Sequence, residues 1–152
     1  MKRILAAAVL SLSAALPVMA SDDDILQRQS DADVATTVGR LTAAIENAGA
    51  TIFATVDHGQ GARDVGADIG ESQLVVFGNP RAGTPVMEKD RLAGLILPLS
   101  ILVYQDASGQ VWVAHESIAD RLGDLDGLSD DDAAITPLAE ALDRLSAVAA
   151  GQ

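Results

Sequence analysis

The chain has 152 residues, no cysteine, and 22 acidic residues against 10 basic ones, a net charge of −12. A field of that sign repels phosphate backbones and anionic lipid surfaces, which argues against nucleic acid or a membrane surface as partner. Without cysteine, thiol catalysis, thiolate metal sites and disulfide staples are excluded.

Met1-Lys2-Arg3 is a short basic start, Ile4 to Leu16 is an apolar run interrupted by serines, and Pro17-Val18-Met19-Ala20 ends in small residues spaced like a cleavage site. That pattern is a secretory signal peptide over residues 1–20, and its apolar run is shorter than the roughly 20 residues of a spanning helix. Cleavage after Ala20 leaves residues 21–152 with 8 basic against 22 acidic side chains, a net charge of −14, and no membrane anchor. The expected destination is the periplasm or the medium, and the length suits one domain.

Residues 21–32 are polar and aperiodic, so a flexible lead is expected there. From Asp33, the apolar positions Val34, Val38, Leu41 and Ile45 recur at helical spacing, with Asp31 or Asp33 to cap and Gly49 to stop, which predicts a helix over about 33–48. Thr51 to His58 is β-branched and reads as the first strand. Ala62, Val65 and Ile69 can share one helical face, although Gly59, Gly61, Gly66 and Gly70 weaken such a helix.

Leu74 to Phe77 is apolar on both faces, the pattern of a central strand covered on each side. Gly78-Asn79-Pro80 must then turn the chain, and Thr84-Pro85 reads as N-cap and first position of a helix ending at Gly94. Leu95 to Gln105, a turn at Asp106 to Gly109, and Gln110 to His115 form a hairpin, with Pro98 confined to a strand start, edge or bulge. Ser117 to Leu122 makes a helical turn and Asp124 to Asp132 an acidic connector. Thr136-Pro137 opens a last helix with Leu138, Leu142, Leu145 and Val148 inward and a Glu140–Arg144 pair outward.

Ligand motifs fail on inspection. Gly61 to Gly66 has the spacing of a phosphate loop, but Ala67-Asp68 stand where lysine and a hydroxyl must reach phosphate and magnesium. Asp64 replaces the third glycine of a dinucleotide turn. The connector lacks the glycine and glutamate register of a calcium loop. No cofactor or resident metal is expected.

Phe53, Asp57-His58, Phe77-Gly-Asn-Pro80, Gly83-Thr-Pro85 with Met87, Leu97-Pro-Leu99, Asp106 and Val111-Trp-Val113, in this order and spacing, resemble the domain of unknown function 302 family over about residues 51–122. The resemblance implies an α+β fold similar to TBP-like folds, with a mainly antiparallel sheet of four to five strands packed by helices. It also implies members that form homodimers and no known reaction, while the length of the chain itself suits a single domain over residues 33–152. His115 stands where that family leads one to expect an aromatic residue.

The candidate site residues are His58, Asp57, Phe77, Asn79 and Trp112. Strand ends can converge, and an imidazole beside a carboxylate is the minimum of a general base or metal site, with His115 as a second imidazole. Bonding of His58, Asp57 and Asn79 to nearby backbone is the structural alternative. Trp112 with Phe53, Tyr104 and Met87 can line an apolar pocket or pack the sheet. These features favour a non-enzymatic ligand-binding or accessory module with a small apolar ligand or a protein as partner. The alternative is a small enzyme using His58 with a carboxylate or divalent metal.

Overall fold

The computed structural model describes residues 24–152, and the expected leader lies outside them. Five strands form one antiparallel sheet: β1 (Ile25–Gln29), β2 (Thr51–Asp57), β3 (Ser72–Gly78), β4 (Leu99–Gln105) and β5 (Val111–Glu116), in the order β1-β5-β4-β3-β2. Five helices connect them: α1 (Val34–Asn47), α2 (His58–Asp64), α3 (Pro80–Lys89), α4 (Ile118–Gly123) and α5 (Thr136–Ala150). The class is α+β, in one domain.

Alternation along the strands sends one set of side chains toward the helices and the other set away. Val75, Phe77, Ile101, Val103 and Val113 are buried on the inner face against Leu41 and Ile45 of α1 and Leu138, Leu142 and Leu145 of α5. Helices α1 and α5 pack on each other and on this face. On the outer face, Leu74, Val76, Leu102, Tyr104 and Trp112 stay half-buried. β3 was expected to be covered on both sides, because its side chains are apolar on both; helices α1 and α5 cover one face alone.

The segment expected to be a flexible lead contributes β1, which pairs with β5 in the register Leu26↔His115 and Arg28↔Val113. Three polar links hold it. Arg28 reaches Ser146 and Asp143 on α5, the Ser30 and Thr37 hydroxyls share a buried hydrogen bond of 2.7 Å, and Asp31 N donates to Ala150 O. A polar, non-alternating sequence makes a strand here because β5 offers an open edge and α5 offers a carboxylate.

Helix α1 starts as its sequence predicts, with Asp33 Oδ1 accepting from Thr36 N at 2.7 Å. Asp57 caps α2 in the same way, accepting from Gln60 N at 2.7 Å. Gly59 lies so close to the next strand that a Cβ there would sit 2.6 Å from Gly70 O. Gly59, one of the glycines expected to weaken this helix, therefore lets it pack, while Val65, expected on its inner face, is 82% exposed beyond its end.

Helix α3 begins five residues before the predicted start. Asn79, not Thr84, is the N-cap, with Pro80 at the first position and Pro85 inside the helix. Asp90 then caps a 3-10 turn over Arg91–Leu95, so the end of the expected helix is this separate turn and the strand expected from Leu95 starts at Leu99. The Leu97–Pro98 peptide is cis and immediately precedes β4. In α5, Leu138, Leu142 and Leu145 are buried as expected, whereas Val148 is 50% exposed and Ala149 takes the inner position. The acidic connector is tied down at its end, where Asp132 accepts from Lys89 Nζ at 2.8 and 2.6 Å and from Ala134 N.

Candidate functional site

The sheet register separates the residues proposed as one constellation. Asp57 pairs with Gln73 at the beginning of β3, and Asn79 follows Gly78 at its end. Six residue steps of extended chain, roughly 20 Å, separate them. His58 is the exposed first residue of α2, beyond the Asp57 carboxylate that its own helix uses as a cap. His115 lies on β5, only 7% exposed on the helix-covered face, and its Nδ1–H donates to Glu116 O at 2.9 Å. The two imidazoles are therefore separated by strands β4 and β3, which lie between β5 and β2. Among the described residues no three His, Asp or Glu side chains gather as a metal site would require.

Phe77 is buried in the core, and Trp112 stands on the outer face. Tyr104 is the cross-strand partner of Trp112, so these two are together, but away from Phe53 and Met87. The Trp112 indole N–H donates to Asp106 Oδ2 at 2.8 Å, and Asp106 Oδ1 accepts from Ser108 N, Ser108 Oγ and Gln110 N. These bonds, led by the Ser108 hydroxyl and then Trp112, pull the Asp106 pKa down to about 2. This network locks the β4–β5 turn.

What the fold does build is an apolar cleft of about 400 Å³ at the Gly78 end of the sheet. Phe53, Met87, Leu97, Pro98, Leu99 and Leu138 form its walls, with Gly78, Asn79, Pro80, Gly83 and Thr84 along the turn and first half of α3. Each element has a local cause. The β2–β3 register shifts between Ile52 and Ala54, and the bulge swings Phe53 out of alternation, leaving it 57% exposed. Its ring settles against Gly78, where a Cβ would lie 3.1 Å from Phe53 Cε2. Asn79 is held from both sides, Oδ1 accepting from Arg81 N at 3.0 Å and Nδ2 donating to Gly49 O at 3.3 Å. The cleft is thus framed by the Phe-Gly-Asn-Pro and Gly-Thr-Pro segments that the sequence singles out, with Asn79 as the candidate that lines it. Leu97 and Leu138 were missed, since only the cis turn and the α3–α5 packing bring them there.

The sequence model described as "Domain of unknown function DUF302" matches residues 26–150, most of the chain. The protein belongs to the DUF302 family. The match extends well beyond the 51–122 core of the resemblance and takes in β1 and α5. Among solved structures, an uncharacterized conserved DUF302 protein from Bacillus stearothermophilus superposes with a TM-score of 0.72 over 82% of this chain and 97% of that one. At 15% identity, that likeness concerns the fold. Two curated relatives are named fluoride-specific ion channel FluC 1, from Brucella suis biovar 1 and Brucella abortus biovar 1, each 39% identical over 99 residues and 64% of this chain. The chain spans 39% and 37% of their respective lengths. No helix among the described residues of this DUF302 protein is long and apolar enough to cross a membrane.

Proposed function

We propose that the protein is an exported, non-enzymatic ligand-binding module acting in the periplasm or outside the cell, with the Phe53–Met87 cleft as its site. The observation that carries this reading is the cleft itself, a largely preformed apolar concavity of about 400 Å³, in a domain whose two histidines lie apart and whose described residues hold no group of three His, Asp or Glu arranged for a metal ion. Pockets of this size and lining are the usual form of small-molecule sites. The test is the fluorescence of Nile red, a neutral solvatochromic dye, added to wild-type protein and to Gly83→Val. A Cβ at Gly83 lies 3.5 Å from Leu97 Cδ1, so valine intrudes on the cleft wall. Saturable enhancement that Gly83→Val removes supports the reading; equal enhancement in both proteins refutes it.

A second observation favours a partner surface on the outer face of the sheet. In so acidic a chain, its paired strands carry a single charged side chain there, Glu116 at one corner. Like-charged copies meet with least repulsion across such a face, which makes a homodimer the favoured assembly.

A further inference from the structure

Deepening the cleft reading above, and resting on it, we propose that the ligand is an uncharged aromatic ring system, held against Phe53 and Met87.

Charge is excluded first. No ionisable side chain lines the cleft. Asn79 spends one oxygen lone pair on Arg81 N and one amide hydrogen on Gly49 O, so its second N–H and the Thr84 hydroxyl, both neutral, are the polar groups left in the lining. A carboxylate or ammonium entering there would give up its water for at most these neutral groups, with no opposite charge to pair it. An anion is disfavoured twice, because the whole chain carries a net charge of −12.

The walls then distinguish a ring from an alkyl chain. Phe53 presents an aromatic surface that the fold keeps 57% exposed on a bulge. A ring gains offset-stacking or edge-to-face attraction there that a methylene chain does not. Met87 contributes a thioether to the lining, its Cε 4.0 Å from a Cβ placed at Gly83. Sulfur at the edge of a ring is a favourable contact of the same selectivity. Gly78 and Gly83 expose backbone in place of side chains, and Pro80 and Pro98 add rigid flat flanks, so the space between suits a planar guest. Size agrees: a cavity of about 150 Å³ holds one benzene, and about 400 Å³ leaves room for two fused rings.

Met87 supplies its own reporter. The chain has three methionines, Met1, Met19 and Met87, and in protein labelled with methyl-13C methionine the resonance lost in Met87→Leu is the one from the cleft. The full-length protein is titrated with indole, with 1-decanol, and with benzoate. The expected result is a saturable ring-current shift of the Met87 methyl with indole, at a Kd at least tenfold below those of decanol and benzoate, weakened at least tenfold by Gly83→Val and by Phe53→Ala. Decanol binding as tightly as indole overturns the aromatic assignment while leaving a ligand site. Benzoate binding as tightly as indole overturns the requirement for an uncharged guest. No Met87 shift with any of the three, in protein whose amide spectrum is folded, overturns both the assignment and the cleft reading beneath it.

Discussion

Phe53 lies over Gly78, the residue that ends the neighbouring strand, and a Cβ at Gly78 would sit 3.1 Å from its ring. One exposed aromatic and one glycine thus set the rim of the cleft. Gly78→Ala is expected to displace the ring and weaken Nile red binding, while a core distant from the rim keeps unfolding cooperative. The check is a dye titration beside a urea melt. A melt shifted strongly with binding unchanged would mean the glycine serves the sheet rather than the site.

The Asp106 network makes a pH prediction. Its folded pKa of about 2 is below the ordinary aspartate value of about 3.9, so its bonds stabilise the fold fully above that value and lose their effect as pH falls from about 4 toward 2. Asp106→Asn is expected to flatten the acid limb of the stability curve. Fluorescence of Trp112, the chain's single tryptophan and a bonded partner of Asp106, follows the transition.

Asn79→Ala removes the cap of α3 and is expected to cost about 0.5–2 kcal/mol. Asn79→Asp keeps an acceptor for Arg81 N but loses the donor to Gly49 O, and should cost less. Chemical denaturation separates the two, and equal losses would shift the weight from the cap to the Gly49 link.

Removing residues 1–30 deletes β1 and strips β5 of its neighbour. A flexible lead would be dispensable; the pairing of Ile25–Gln29 with β5 predicts instead a lower melting temperature and aggregation through the bared edge. Light scattering during a thermal ramp reads both.

Leu102→Glu places a charge in the middle of the outer face. Sedimentation velocity is expected to change from dimer to monomer with little loss of fold, since Leu102 is half-buried in a single chain. A wild-type monomer at micromolar concentration would contradict the homodimer.

Legibility in the sequence followed the strength of local signals. Helix α1 was readable because Asp33 and the Val34–Leu41–Ile45 stripe agree, and the hairpin because Asp106 and Gly109 leave few alternatives. β1 was not readable, since its polar residues become a strand through tertiary partners, Val113 and Asp143 among them. The α3 start was misplaced because Thr84-Pro85 imitates a cap that Asn79-Pro80 forms first. The site was half legible. Its motifs mark the rim at Phe53, Gly78 and Asn79, but antiparallel register carries His58 away from them and leaves Trp112 on another face.

The most direct test of the cleft as a ligand site is native mass spectrometry of the protein recovered from its own cells, beside Gly83→Val from the same preparation. A stoichiometric small-molecule mass on the wild type that is missing from the variant is the predicted result. Wild type and variant carrying the same adduct, or bare wild-type protein that stays bare through soaking in source-cell extract, would contradict it.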